Sequence, residues 1–242
     1  LKQLLATVSL LVVLAIAPGA AAAQRLHALL VADQSPAAKW GTYAPHVTMD
    51  IQRMGWLLRD NLPQAQLKRE ILVFNRDREA TPAAILAAIK ALDPATEDTV
   101  LFYYTGHGAA DDDGHYLALA GGRLYRRQIR EAIERKQPKL TILLTDCCNL
   151  RSDGRRMIAM APAPPEPPAE PPPLLRSLFF EPSGVVDFNA SSPGEAAYFV
   201  AGQEDAGMDG LGSLFTRAVS HFVDEHLDQE RIHVCDYPAL RI

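Results

Sequence analysis

Two stretches of the chain, DTVLFYYTGHG (residues 98–108) and LTILLTDCCN (residues 140–149), decide the expected fold. Each begins with a run of apolar residues at consecutive positions, which is typical of a strand buried on both faces of a sheet. The first run ends in Gly-His-Gly and the second in Asp-Cys-Cys. In parallel sheets, ligands and reactions collect beyond the carboxyl ends of the strands. The two stretches therefore predict consecutive parallel strands that place an imidazole beside a thiol.

The surrounding residues predict further strands and helices in alternation. Strands are predicted at residues 25–33 and 66–75, and a hairpin at residues 115–124 with Gly121 and Gly122 at its turn. Helices are predicted at residues 46–61, 81–92 and 126–136, the second with Thr81 as N-cap and Pro82 in the first helical position. This order predicts an α/β fold with a mostly parallel central sheet flanked by helices.

Beyond residue 150 the composition changes. Residues 151–181 are predicted to form a proline-rich linker, because APAPPEPPAEPPP (residues 161–173) cannot continue a helix or a central strand. The linker separates a region at residues 24–150 from a second region at residues 182–242. That second region is predicted to contain short strands at residues 184–191 and 196–200 and an amphipathic helix at residues 211–227.

Residues 1–23 have the pattern of a secretory signal. Lys2 is followed by an apolar run of about a dozen residues and then by alanines. The run is shorter than the roughly 20 residues of a comfortable membrane span, although an uncleaved anchor helix is the alternative. The sequence therefore predicts an exported, periplasmic or extracellular protein that makes no membrane contact once the signal is removed.

Composition and charge exclude several classes of protein. The 242 residues carry 24 Lys+Arg and 29 Asp+Glu, a net charge of −5, so no basic surface is predicted for nucleic acid. An apolar content of 48% excludes wholesale disorder. Three cysteines cannot form a closed set of disulfides, so at least one thiol, such as Cys235, is free or bonds outside the chain.

The two strand ends together contain the groups needed for acyl transfer. A cysteine becomes nucleophilic when its thiolate is stabilised, usually by an imidazolium, and partly exposed. His107 stands between two glycines, and Cys147 or Cys148 follows the next strand. The peptide N–H of Gly108 is a candidate oxyanion donor because no side chain blocks its approach. These residues supply a base, a nucleophile and an oxyanion donor.

Four motifs, in this order, resemble the caspase–metacaspase group of cysteine peptidases. They are YYTGHG (residues 103–108), LLTDCCN (residues 143–149), NASSPGEAAY (residues 189–198) and GSLFT (residues 212–216). The resemblance implies a caspase-like three-layer sandwich and a thiol endopeptidase that acts on peptides or proteins. The catalytic histidine of the group falls on His107. The nucleophile of the metacaspase-type branch lies in an Asp-x-Cys pattern, which selects Cys148.

The resemblance also implies roles for neighbouring residues. The N–H groups of Gly108 and Cys148 would bind the oxyanion, and Asp146 and Ser191 would contact the substrate. Asp146 and Cys148, two positions apart, would face one cleft while Cys147 faces away. In metacaspase-type relatives this aspartate contacts the Arg or Lys before the scissile bond, which predicts cleavage after Arg or Lys. The linker between the subunits is cut during maturation in the caspase group, so residues 151–181 are predicted to be a processing site in a zymogen.

Several alternatives stay open. The calcium-binding aspartate pair of some metacaspases has no convincing match, so no cofactor is predicted and calcium dependence is unsupported. Asp111, Asp112 and Asp113 with His107 and His115 suggest a metal site, but three acids before a glycine are more often a solvated turn. A disulfide between Cys147 and Cys148 would be strained. Unusual residues after Cys148 also allow a non-catalytic caspase-like module that binds peptides as a scaffold. The sequence does not determine the oligomeric state.

Overall fold

The computed structural model describes residues 24–34, 44–74, 79–150, 174–199 and 212–227. These residues form strands and helices in the alternating order that the sequence predicts. In chain order the elements are β1 (Leu26–Asp33), α1 (Ala44–Asn61), β2 (Leu67–Phe74), α2 (Pro82–Ala91), β3 (Thr99–Thr105), β4 (Gly108–Asp111), β5 (Gly114–Leu119), β6 (Gly122–Tyr125), α3 (Arg126–Glu134), β7 (Leu140–Asp146), α4 (Leu174–Phe179), β8 (Gly184–Asn189) and α5 (Leu214–His226). The predicted cap of α2 is confirmed, since the Ala84 N–H donates to Thr81 Oγ1 over 3.1 Å.

A five-stranded parallel sheet is the centre of the fold. Its strand order is β2-β1-β3-β7-β8. The strands β3 and β7 are neighbours, and Thr105 at the end of β3 lies opposite Asp146 at the end of β7. The residues that follow these two strands therefore lie side by side at the carboxyl edge of the sheet, as predicted.

Helices cover both faces of the sheet, which is why the central strands are apolar at consecutive positions. Along β3, Leu101 and Tyr103 pack into a core with α1, α4 and α5, whereas Phe102 and Tyr104 pack into a second core with α2 and α3. All four side chains are nearly or fully buried. Two cores on one sheet give the three-layer α/β sandwich expected from the sequence.

A small antiparallel sheet, β4-β5-β6, follows β3 directly. The sequence predicts only the hairpin of β5 and β6, which is confirmed, although its turn is formed by Ala120 and Gly121 and Gly122 already belongs to β6. The additional strand β4 begins at Gly108, immediately after His107. The Ala118 N–H donates to the His107 carbonyl over 2.9 Å. The small sheet therefore supports the loop that carries the histidine.

The carboxyl-terminal region differs from the prediction in two places. The predicted linker ends in a helix, α4, because the prolines stop at residue 173 and Leu175 and Phe179 can pack into the first core. The strand predicted from residue 196 is wrong within the described residues 196–199, which form only an isolated bridge between Phe199 and Ser213. The turn before it is held against Asn149 instead, because the Asn149 N–H donates to the Glu195 carbonyl.

Some predictions lie outside the described residues. They are the signal at residues 1–23, the proline block at residues 161–173 and the thiol of Cys235. Within the part of the chain that the structure describes, no helix combines the length and the apolar character needed to cross a membrane.

Candidate active site

The ends of β3 and β7 bring the loop of His107 against Cys147 and Cys148. The Gly106 N–H donates to the Asp146 carbonyl over 3.2 Å, which ties the two strand ends together. At Gly108 a Cβ atom would lie 2.5 Å from Cys147 Sγ and 2.7 Å from the Cys148 carbonyl oxygen. Only glycine fits this contact, so Gly108 allows the histidine loop to pack directly on the two cysteines.

The two thiols have opposite surroundings. Cys147 is 1% exposed and belongs to the core beneath α2 and α3. Burial, followed by the negative charge of Asp146, raises the pKa of the Cys147 thiol far above its ordinary value. Cys148 is partly exposed, with its Sγ 3.8 Å from the Ala197 carbonyl oxygen. Because a nucleophilic cysteine needs exposure and a thiolate, the structure leaves Cys148 as the candidate.

His107 is partly buried at the start of the small sheet. Burial lowers the pKa of its imidazole, and the negative charge of Asp33 acts in the opposite direction. Asp33 is the last residue of β1 and is nearly buried, next to the end of β3. Sequence reasoning treated it only as the polar end of an apolar strand. The charge of Asp33 thus favours the protonated imidazole and offsets part of the effect of burial.

A second histidine, which the sequence suggested only as a metal ligand, also reaches this site. His115 Nε2 lies 2.9 Å from the Cys148 carbonyl oxygen and 3.6 Å from Cys147 Sγ. Burial lowers the pKa of His115 to about 4, so the ring is neutral at pH 7 and Nε2–H donates to the carbonyl. Among the described residues, no group of three or more His, Cys, Asp or Glu side chains is placed to hold a metal ion.

One candidate oxyanion donor, the Gly108 N–H, lies on the side of β4 that faces the cysteines. His107 and Ala118 form a hydrogen-bonded pair, so the next pair, Gly108 and Leu117, is a non-hydrogen-bonded one. The Gly108 N–H therefore points away from β5. Ala110, two residues on, points the same way and donates to the Leu150 carbonyl over 2.8 Å. The Gly108 N–H thus faces the segment that contains Cys148.

Asp146 faces the opposite side of the sheet from Cys147. Its carboxylate, 2% exposed, accepts hydrogen bonds from Ser213 Oγ and, over 2.6 Å, from Thr216 Oγ1 at the start of α5. Burial raises the pKa of Asp146. The structure therefore places this carboxylate beneath Ser213 and not at an open surface, and its predicted contact with a substrate cation stays a prediction.

Asp50 of α1 lies beside Asp146, and the two form an acidic cluster. The Ser213 N–H donates to Asp50 Oδ1 over 2.9 Å, and Arg53 approaches the same carboxylate at 3.9 Å. Burial first, and the negative charge of Asp146 second, raise the pKa of Asp50 to about 7. Sequence reasoning missed Asp50, because its position inside a helix gave no indication that α1 would pack against the end of β7.

Ser191, predicted to contact the substrate, makes a contact within the protein. It is 7% exposed, and its Oγ donates to the Cys147 carbonyl over 3.1 Å. Asn189, at the end of β8, donates from Nδ2 to the same carbonyl over 3.1 Å. A substrate contact of Ser191 stays a prediction, and the contact with Cys147 is the one observed.

Comparisons with known proteins give a likeness to solved structures alone. No model of a known protein family matches the chain, and no curated protein matches its sequence. Among solved structures, the chain is similar to caspase-1 from Spodoptera frugiperda. The identity is 11% and the TM-score is 0.46, over 82% of this chain and 68% of the caspase chain. A likeness at this level says nothing about activity, which rests on the residues of the site.

Proposed function

We propose that this protein is a cysteine endopeptidase in which Cys148 is the nucleophile and His107 is the general base and acid. One observation carries the proposal. The pairing of β3 with β7, with Gly108 packed on Cys147 and on the Cys148 carbonyl, sets the His107 loop beside the backbone of Cys148, whose thiol is partly exposed. The adjacent thiol, that of Cys147, is buried in a core. Among the described residues, the site therefore contains one partly exposed sulfur, and since His115 donates to the Cys148 carbonyl, His107 is the imidazole left for proton transfer.

The chemistry follows from these groups. His107 takes the thiol proton of Cys148, and the thiolate attacks the carbonyl carbon of the scissile peptide bond. The C–N bond then breaks, and His107 returns the proton to the leaving amine. Water, deprotonated by His107, attacks the thioester, and the Cys148–acyl bond breaks to release a carboxylic acid product and the thiol.

The N–H groups of Gly108 and Cys148 would stabilise the oxyanion in both steps. Removing one such donor typically costs about 3 kcal/mol of transition-state stabilisation. The Gly108 N–H faces the cysteine segment because the β4–β5 ladder does not use it. Asp33 favours the protonated state of His107 that the ion pair needs.

The acidic cluster of Asp50 and Asp146 supports a preference for Arg or Lys before the scissile bond. Two carboxylates share this region with Arg53, and mutual repulsion contributes to the raised pKa of Asp50. A guanidinium or ammonium group would relieve that repulsion and restore both charges. Since Ser213 covers the cluster, the proposal requires Ser213 to move aside when such a side chain enters.

Export and self-processing are part of the same proposal. Residues 1–23 would direct the chain out of the cytoplasm, and Arg151, Arg155, Arg156 and Arg176 would offer cleavage sites around the proline block. The intact masses of purified wild type and Cys148→Ala test the second point. Fragments in the wild type alone support self-processing, and identical masses contradict it.

A matched pair of cysteine variants tests the assignment of the nucleophile. We expect Cys148→Ala to lose activity on fluorogenic Arg and Lys peptides by at least about a thousandfold, as removal of a nucleophile does. Cys147→Ala, which changes the buried thiol, should keep activity within about tenfold. Iodoacetamide at neutral pH should label Cys148 much faster than Cys147. Activity that survives in Cys148→Ala would exclude this mechanism.

A second candidate function is that of a non-catalytic module that binds peptides as a scaffold, and the part of the chain that the structure describes does not show an acidic pocket open to a substrate cation. Asp50 is 0% exposed and Asp146 is 2% exposed, so the cluster does not by itself present an open pocket. If the wild type binds an Arg-containing peptide without turnover, and Cys148→Ala binds it equally well, the binding module is the correct description.

A further inference from the structure

The peptide group between Cys147 and Cys148 is held from the side of β8. Two donors meet on the Cys147 carbonyl oxygen: Asn189 Nδ2 at 3.1 Å and Ser191 Oγ at 3.1 Å. Asn189 ends β8 opposite Thr145 of β7, so the register of the two strands sets this contact. Both donors come from the segment that follows the linker, far along the chain from the cysteines.

The amide of Asn189 is itself fixed in one orientation. Its Oδ1 accepts from Thr145 Oγ1 over 2.7 Å and from the Cys147 S–H over 3.5 Å. Its Nδ2 also donates to the Ser191 carbonyl over 2.9 Å. A flipped amide would set its N–H groups against these donors, so the network determines the orientation. Asn189 therefore presents a donor, and not an acceptor, to the Cys147 carbonyl.

Fixing the Cys147 carbonyl fixes the direction of the Cys148 N–H. A peptide group is planar and, in its trans form, its C=O and N–H point in opposite directions. The described residues contain no cis peptide bond. The Cys148 N–H therefore points away from Asn189 and Ser191. Hydrogen bonds to the carbonyl also polarise the peptide group and strengthen its N–H as a donor.

The next carbonyl along the chain is held as well. His115 Nε2 donates to the Cys148 carbonyl oxygen over 2.9 Å. The side chain of Cys147 is buried in the core of α2 and α3, and its packing restrains the Cys147–Cys148 peptide group. The backbone on both sides of Cys148 is thus restrained by hydrogen bonds from side chains of the protein.

We propose that Asn189 is a positioning residue that aims the Cys148 N–H at the oxyanion, with Ser191 as its second support. The inference rests on the proposed peptidase function and adds to it a role for the β8 segment. Asn189 acts through the Cys147–Cys148 peptide group and touches no reacting atom.

A purely structural role makes a different prediction from a positioning role. If Asn189 only joined β8 to β7, its loss would loosen the whole site and slow every reaction of Cys148. If it aims the oxyanion donor, its loss weakens only reactions that pass through an oxyanion. Alkylation of the thiolate by iodoacetamide forms no oxyanion, so its rate separates the two roles.

The test uses Asn189→Asp, which keeps the shape of the side chain and removes the donor to the Cys147 carbonyl. We expect kcat on an Arg peptide to fall about 10- to 100-fold, with KM and the rate of Cys148 alkylation each within about twofold of wild type. Affinity for a peptide aldehyde, which forms a tetrahedral adduct, should fall in parallel with kcat. The matched control is Asn61→Asp, the same change at a buried amide that donates to the Leu57 carbonyl within α1. It should leave kcat unchanged.

Ser191→Ala provides a second test of the same hydrogen-bonded carbonyl if Asn189→Asp does not fold. This variant loses one of the two donors to the Cys147 carbonyl, and we expect kcat to fall about three- to tenfold with alkylation unchanged. An active wild type whose kcat is unaffected by both changes would refute the positioning role alone, as would equal losses of kcat and alkylation. A wild type that hydrolyses no peptide would refute the proposed function and this inference with it.

Discussion

The two faces of the central sheet end differently at the tip of β7. On the face covered by α2 and α3, the last side chain is Cys147, sealed among apolar residues and kept protonated by burial. On the face covered by α1 and α5, the preceding residue is Asp146, buried among hydroxyl groups and a second carboxylate. A single strand end thus contributes an inert thiol to one core and a charge to the other. Just beyond the strand, Cys148 is the one partly exposed thiol among the residues that the structure describes.

The difference between the faces predicts where substitutions act. Substitutions on the face covered by α2 and α3 should alter the position of the Cys147 and Cys148 backbone. Changes on the α1 and α5 side should alter the charge that a substrate meets. Between the two, the loop of His107 depends on close contact with both cysteines.

Among changes that keep the thiol of Cys148, the largest effect is expected from Gly108→Ala, which alters that contact directly. The new methyl group would lie 2.7 Å from the Cys148 carbonyl oxygen, a backbone atom that cannot move without displacing the nucleophile. We expect kcat/KM on an Arg peptide to fall more than a hundredfold, with a lower melting temperature. Gly55→Ala is the control, since its methyl group would have ordinary contacts and alanine favours a helix by roughly 1 kcal/mol. Full activity in Gly108→Ala would show that the His107 loop does not pack on the cysteines.

The charge on the other face is tested by Asp146→Asn. The amide keeps the shape of the carboxylate and can accept from Ser213 or Thr216, but it cannot carry a negative charge. We expect the ratio of kcat/KM for an Arg peptide over its uncharged citrulline analogue to fall at least tenfold, equivalent to about 1.4 kcal/mol. Asp60→Asn, an exposed carboxylate on α1, should leave the ratio unchanged. An unchanged ratio in Asp146→Asn would remove this residue from the specificity pocket.

Asp33→Asn tests whether the charge at the end of β1 acts on His107. The charge of Asp33 acts to raise the pKa of His107 against the effect of burial. Without that charge the imidazolium loses its proton at lower pH, so the alkaline limb of the kcat/KM profile should move to lower pH. The exposed Asp93→Asn serves as control. A limb that stays in place would mean that Asp33 does not act on the group that limits activity at high pH.

The sequence was sufficient to predict the two strands that carry the site, but not the residues from other elements that contact it. The uninterrupted apolar runs of β3 and β7 predict their burial and their adjacency, and with them the packing of the His107 loop on the segment of Cys147 and Cys148. Strand β4 was missed because Gly-Ala-Ala-Asp has little strand propensity, and it forms only against β5. Asn189 and Asp50 could not be predicted because their contacts arise when β8 and α1 pack beside β7, which no local pattern encodes.

The smallest expected effect concerns stability, and it follows from the sign of the pKa shift at Asp50. The folded state raises the pKa of Asp50 from 3.8 to about 7, so folding favours the protonated carboxyl. The resulting stabilisation is complete below about pH 4 and is lost as pH rises through 7, because the folded protein then binds more protons than the unfolded chain. Asp50 therefore acts to lower the unfolding free energy between pH 5 and 8, by at most a few kcal/mol.

Asp50→Asn should flatten this dependence, because an amide does not titrate. Melting temperatures at pH 5 and pH 8 for the variant, the wild type and Asp60→Asn provide the measurement. The variant should gain stability over wild type at pH 8 and little at pH 5, whereas Asp60→Asn should follow the wild type at both values. A peptide aldehyde with Arg should bind the wild type more tightly as pH rises through 7, because its guanidinium favours the ionised carboxylate, and this gain should vanish in Asp50→Asn. If the variant shows the same pH dependence as wild type in both measurements, the acidic cluster neither titrates near neutrality nor receives the substrate cation.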